Sequence, residues 1–289
     1  MESTICKICG NPTFLCKCDS SWQSFEKVLT YDCKGKEVNS VNYTDINVST
    51  MTVCFNFNKH IDLVYLKQNL PKGLEVNFNP GSKKSKIPKK KGTDSFYNSF
   101  DIKLTLLDYT KEPGIFSNIS IFIFPNGKVK AAGIKTISTI NIMIEELIEL
   151  ITLVCNTEDL GVENVKIQMI CSDFKIKPVV KDPDGWCLKQ EDLKNILVNE
   201  YSLSATFSAL SKYPGINLKY PSIIEPKKNV SLLIFRSGSI IITGAKDAND
   251  IANCYSFITN VICKNKSKLF YHDISEEIKQ KKKKAKLNK

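Results

Sequence analysis

Two stretches of the chain decide how it folds: residues 121–135 read IFIFPNGKVKAAGIK, and residues 232–246 read LLIFRSGSIIITGAK. Phe124 matches Phe235, Gly127 matches Gly238, Gly133 matches Gly244 and Lys135 matches Lys246, all at one offset (238 − 127 = 111). An internal repeat outranks other signals, because it says that one unit has been built twice. Two copies at so long a period argue against a solenoid and predict a pseudo-twofold domain.

Working outward, both halves show the same order of elements. Residues 50–70 open with Val53, Phe55 and Phe57 on one face, the alternation of a strand. Asp62 then caps a helix in which Leu63, Leu66 and Leu70 recur at three and four. Residues 71–95, rich in Pro, Gly and Lys, read as an insertion or loop. Strand-like runs follow at 99–108, 118–124 and 128–134, the last two joined by a Pro125-Asn126-Gly127 turn. A helix from about Ser138 to Cys155 carries Met143, Leu147, Leu150, Ile151 and Val154 on one stripe. The second half gives a strand at 165–171, a Pro-rich loop containing Trp186 and a helix near 190–201. Strands near 203–208, 215–220, 229–236 and 239–244 come next. A last helix is capped by Asp247, with Ile251, Tyr255, Ile258 and Ile262 as its buried stripe. Each half therefore predicts strand, short helix, four-stranded meander and long helix. The domain reading is an arm at 1–48, a first repeat at 49–157 with the Lys-rich insertion, a second repeat at 158–263, and a basic tail at 264–289.

The chain has 289 residues, 42% of them hydrophobic, and a formal charge of +11. That is enough apolar material for a core, but the apolar runs are too interrupted to span a bilayer. MESTICKICG lacks the basic and apolar regions of a secretory signal. The basic excess points to an acidic partner, most simply nucleic acid. Two lysine runs, Lys83–Lys91 and Lys279–Lys289, read as solvated, disordered arms able to make salt-sensitive phosphate contacts. Eleven cysteines, an odd number in a chain without a secretory signal, argue against a disulfide framework. Cys54, Cys155, Cys171, Cys187, Cys254 and Cys263 lie among apolar neighbours and read as small core residues. Cys6, Cys9, Cys16 and Cys18 differ, falling within CKICGNPTFLCKC. They supply the four thiolates of a structural zinc site, with Cys33 a spare ligand, or they are reduced thiols of a tail.

LLIFRSGSIIITGAK resembles the strand–turn–strand signature of the TATA-box-binding protein family. FNFNKHIDLVYL resembles that family's first strand and helix, Tyr213-Pro214-Gly215-Ile216 its Phe-Pro-Gly-Leu element, and Glu112-Pro113 and Glu225-Pro226 its Glu/Gln-Pro turns. The resemblance covers about residues 50–263 and is strongest in the second repeat. The resemblance is to the extended, divergent versions carried by large DNA viruses. It implies an α+β pseudo-twofold saddle, a curved antiparallel sheet with helices on the convex face. It also implies a non-catalytic transcription initiation factor that binds and bends AT-rich promoter DNA through the minor groove, prying base steps with aromatic wedges.

The resemblance makes Phe124 and Phe235 wedges, with Tyr213 as a second wedge in the second repeat. The matching first-repeat wedge is Phe100 or, alternatively, Tyr97. Leu233, Ile241 and Thr243 match groove-facing positions, and Lys128, Lys135 and Lys246 match phosphate-contacting lysines. Lys130 and Ala132 replace Ile241 and Thr243 in the first repeat, so that half is more basic. Thr50 and Ile167 stand where the family has base-reading Asn, which predicts a preference for deformable AT-rich DNA over a sharp TATA consensus. Ala209, Leu210 and Ser211 replace the acids that hold transcription factor IIB in the family, so the resemblance does not extend to that contact. The implied partners are double-stranded DNA, RNA polymerase and general transcription factors, with no membrane. The implied location is the nucleus, or a cytoplasmic viral factory and virion. GxxxxGK[ST], GxSxG and HExxH are absent, and His60 and His272 have no partnered nucleophile motif, so no catalysis is expected. The alternative is an interaction module that tethers RNA polymerase without sequence-specific DNA binding.

Overall fold

The elements form in the order that the two halves spell out. The computed structural model describes residues 20–38, 40–71, 73–78, 98–110, 112–181, 184–210 and 214–287. Helix α1 (Ser20–Tyr31), β1 (Lys36–Val38) and β2 (Val41–Tyr43) precede β3 (Asn47–Phe57), α2 (Leu63–Asn69), β4 (Glu75–Phe78), β5 (Phe100–Asp108), β6 (Ile115–Ile123), β7 (Lys128–Ile134) and α3 (Ile137–Cys155). Then come β8 (Val162–Pro178), β9 (Trp186–Leu188), α4 (Gln190–Asn199), β10 (Ser204–Thr206), β11 (Gly215–Pro221), β12 (Asn229–Phe235), β13 (Ser239–Ala245) and α5 (Ala248–Lys264). The chain continues into α6 (Lys266–Leu269), β14 (Phe270–His272) and α7 (Ile274–Leu287). Two compact units result, one centred on residues 50–169, the other on 23–49 with 170–289.

In the first unit, β4, β5, β6 and β7 make an antiparallel meander, and β3 pairs beyond β7. The pairs Ile102↔Ile121 and Ile121↔Ala131 put buried side chains in rows on one face. Helix α3 packs on that face through Ile140, Met143, Ile144, Leu147 and Ile151. Each such side chain contributes about 1.5–3 kcal/mol when taken from water. Asp62 caps α2 as expected, its carboxylate accepting from Val64 N and Tyr65 N, both at 3.0 Å. Thr136 caps α3, which starts one residue before the predicted Ser138, by accepting from Thr139 N at 3.2 Å.

The second unit repeats the plan, with strand order β10-β11-β12-β13-β8 and α5 burying the predicted Ile251, Tyr255, Ile258 and Ile262. Asp247 accepts from Asn249 N at 2.8 Å. The two turns match bond for bond. Gly127 and Gly238 both have φ of 78°. Gly127 N donates to Phe124 O and Gly238 N to Phe235 O, each at 3.0 Å. Phe57 N donates to Gly127 O at 2.8 Å, and Ile176 N to Gly238 O at 2.9 Å.

Four segments depart from the sequence reading. The predicted arm is not a separate appendage beyond residue 22: β2 pairs with β8 through Tyr43↔Ile176, Cys33 is buried, and Tyr255 Oη donates to Thr44 O at 2.8 Å. The predicted basic tail is folded up to residue 287, because Asp273 caps α7 and β14 pairs with β9. Strand β8 runs over 162–178 rather than 165–171, since Phe174 and Ile176 alternate with Lys175 and Lys177 as a half-buried strand does. Of the insertion, 75–78 is β4. Lys83–Lys91, Cys6, Cys9, Cys16 and Cys18 lie outside the described residues.

Candidate nucleic-acid interface

A pleated strand sends alternate side chains to opposite faces. In each unit one set is buried and the other stays half-exposed, and that second set forms the candidate surface. In the second unit the register aligns Asn217, Leu233, Ile241 and Asp173 across four strands, with Ser231, Thr243 and Cys171 in the neighbouring row. Leu233, Ile241 and Thr243 are therefore neighbours on one half-exposed face. Phe235 ends β12 on the same face, opposite Gly215. The fit beneath its ring is tight: a Cβ at Gly215 would stand 3.1 Å from the ring edge, and the ring would have to give by a few tenths of an ångström. Lys219 Nζ donates to Ser231 Oγ at 2.7 Å on this face. Lys246 sits beyond the end of β13 and shares its charge with Glu225 at 3.2 Å.

In the first unit the matching face carries Phe122, Lys130 and Cys54 in one row, with Lys128 and Asn56 in the next. Phe124 lies half-buried at the end of this face, and Lys128 and Lys135 are exposed. Beside Phe124 runs an open groove of about 610 Å³, lined by Asn56, Lys128, Lys130, Asn164, Lys166 and Gln168 among others. Three ammonium groups and three amides make it suited to an anionic, hydrogen-bonding ligand. Asn164, Lys166 and Gln168 were missed by sequence reasoning. Their signal was the exposed polar alternation in the first half of β8; the predicted strand at 165–171 held Lys166 and Gln168 and left out Asn164.

Phe100 is not a wedge. It is 0% exposed, on the covered face, with its ring centroid 5.8 Å from that of Phe78. The reason is register. Phe100 pairs with buried Ile123, so one step further puts Phe124 opposite Ser99, as Phe235 stands opposite Gly215. Tyr213 lies two residues before Gly215, so its counterpart is Tyr97, two before Ser99. Tyr97 and Tyr213 themselves lie outside the described residues.

The face also holds acids. Asp173 Oδ1 accepts from Asn47 Nδ2 at 3.0 Å. Burial pushes the Asp101 carboxyl up, partly offset by a hydrogen bond from Ser99. Glu75 pairs with Lys103. Thr50, expected above at a base-reading position, has its hydroxyl accepting from Gly133 N at 3.1 Å. Ile167 is half-buried. Cys33, the spare zinc ligand, is buried and its thiol is pushed up to about 12 by burial and then by Asp32, so it stays protonated. Among the described residues no group of three or more His, Cys, Asp or Glu could hold a metal, and no helix is long and apolar enough to cross a membrane.

Residues 192–265 match the family described as transcription factor TFIID, or TATA-binding protein. A TATA-box-binding protein-like protein of Acanthamoeba polyphaga mimivirus is 27% identical over 256 residues, covering 79% of this chain and 68% of its own. Among solved structures, Methanococcus jannaschii TBP overlays with a TM-score of 0.49 at 19% identity, over 76% of this chain and 98% of its own.

Proposed function

We infer, for a chain that is a divergent relative of the TATA-binding proteins, that it is a non-catalytic transcription initiation factor. It binds AT-rich duplex DNA in the minor groove through the half-exposed faces of its two units. The observation that carries the reading is the patch of Leu233, Ile241 and Thr243 on one face with the Phe235 ring at its end, inside the stretch that matches the family. An apolar strip with an aromatic at its end suits a widened minor groove whose base steps are unstacked. The first unit supplies charge instead, through Lys128, Lys130 and Lys166. Phosphate contacts of that kind fix position without reading sequence. RNA polymerase and general transcription factors are the proposed partners, in a nucleus or a viral factory.

The test is a selection of duplexes from a random pool at two salt concentrations, followed by a bending assay on the winners. Enrichment of flexible AT-rich sites, and a bend that falls in Phe235→Ala, is the expected result. No duplex binding at low salt would overturn the reading and leave a polymerase-tethering module.

A further inference from the structure

The match to the family ends at residue 265, yet the chain folds on through α6, β14 and α7. This extension is fastened to the second unit at several points. Strand β14 pairs with β9 through Phe270↔Leu188, Tyr271↔Cys187 and His272↔Trp186. Asp273 accepts from Ser275 N at 2.9 Å and Glu276 N at 3.2 Å, and forms an ion pair with Arg236. Arg236 Nε also donates to Tyr271 Oη at 2.7 Å. Along α7, Glu277 lies 3.3 Å from His272 Nε2, Gln280 Oε1 accepts from Gly185 N at 3.3 Å, and Lys284 Nζ reaches both oxygens of Asp184 at 2.8 and 2.9 Å. At 3.6 residues per turn these three residues fall within an arc of about 60°.

Another arc of α7 carries lysines: Lys279, Lys282, Lys283 and Lys286 are exposed and centred about 140° from the fastened side. Lys279 is partly neutralised by Glu276 at 2.8 Å. Lys279 with Lys283, and Lys282 with Lys286, are like charges four apart, an arrangement that weakens a helix unless an anion offsets it. The fastening point fixes where that anion would be. Arg236 directly follows Phe235, in the turn that ends the Leu233 row.

We propose that α7 is a docked phosphate-binding stripe for the duplex DNA that flanks the segment held on the second unit's open face. The proposal rests on the DNA-binding reading above. DNA that passes Phe235 leaves the sheet at the turn to which α7 is tied. From Lys279 to Lys286 the stripe is about 10 Å long, close to three base-pair steps. Arg236 and Asp273 act as positioning residues that hold the stripe in place.

The experiment uses the full chain and two duplexes, one limited to the selected site and one extended by about 10 base pairs on each side, a full helical turn. The wild type should bind the longer duplex more tightly. The triple variant Lys282→Gln, Lys283→Gln, Lys286→Gln should bind the short duplex as the wild type does and lose the advantage on the long one. Its slope of log affinity against log salt on the long duplex should flatten by about 0.9 per lysine removed. Arg236→Ala should lose part of the same advantage without touching a lysine. Equal binding of the long duplex by wild type and triple variant overturns the proposal, as does equal weakening on both duplexes with unchanged melting temperature. Failure of the wild type to bind even the short duplex overturns the DNA-binding reading itself, a separate outcome.

Discussion

Gly133 and Gly244 occupy equivalent places in the two repeats and share a left-handed backbone, with φ of 104° and 90°. Their surroundings differ. A Cβ on Gly133 would stand 2.0 Å from the carbonyl oxygen of Asn118, while one on Gly244 would meet nothing closer than Asn229 O at 3.9 Å. Gly244→Ala should therefore carry only the backbone strain of about 1–2 kcal/mol. Gly133→Ala should cost clearly more, because the β6–β7 backbone has to move. Paired denaturation curves check this, and equal losses would sink the argument. The two phenylalanines divide in the same way. Phe100→Ala opens a cavity in the first unit and should cost about 3–5 kcal/mol. Phe235→Ala should leave stability nearly unchanged and reduce DNA bending. Sequence alone could not separate these rings, since a Phe beside a turn reads alike on either face. The pairing register decides, and it became visible only once β5 was aligned with β6.

At the scale of elements, helix ends were legible and their supporting networks were not. Asp62 and Asp247 announced their helices by position before an apolar stripe. The cap of α3 is a network: Asp108 is buried and accepts hydroxyl hydrogen bonds from Thr110 at 2.6 Å, Thr136 at 2.5 Å and Ser138. These partners lie up to 30 residues away, beyond any local pattern. Burial alone would push the Asp108 carboxyl up, but the bonds from Ser138, Thr110 and Thr136 prevail and hold it at about 2. Asp273, at the cap of α7, is held at about 2 by Ser275, the Glu276 N–H and Arg236. Both values lie below the ordinary carboxylate value near 3.9, so both groups bind protons more weakly in the folded chain. Their stabilisation is full above about pH 4 and is lost as pH falls towards 2. Melting temperature measured from pH 5 to 2 should fall steeply in the wild type and less steeply in Asp108→Asn, whose loss at pH 7 is about 1–3 kcal/mol. Parallel curves for the two proteins would show that Asp108 contributes nothing to acid sensitivity.

At the scale of the molecule, the repeat was legible because a glycine-bearing turn between apolar strands is a local pattern that had to be kept twice. What surrounds the repeats was misjudged, because lysine-rich and cysteine-bearing composition says nothing about long-range pairing. Val41 and Tyr43 look like ordinary loop residues until β2 is laid against β8. That pairing changes where the chain can be cut. We expect one zinc ion held by Cys6, Cys9, Cys16 and Cys18, since structural zinc takes four such ligands. A chain beginning at Ser20 should then contain no zinc and should melt as the full chain does, because it keeps α1, the β1–β2 hairpin and buried Cys33. A chain beginning at Thr50 should also contain no zinc but should melt lower. It lacks β2, the Thr44 carbonyl that takes the Tyr255 hydroxyl, and the Tyr43 ring 5.8 Å from that of Tyr255. Among the buried side chains it loses, Val41 and Tyr43 alone cost about 1.5–3 kcal/mol each. Metal analysis and melting curves of the three proteins separate the two roles. Zinc retained by the chain from Ser20 would show that other residues hold it, and equal melting of all three would remove residues 23–49 from the second unit.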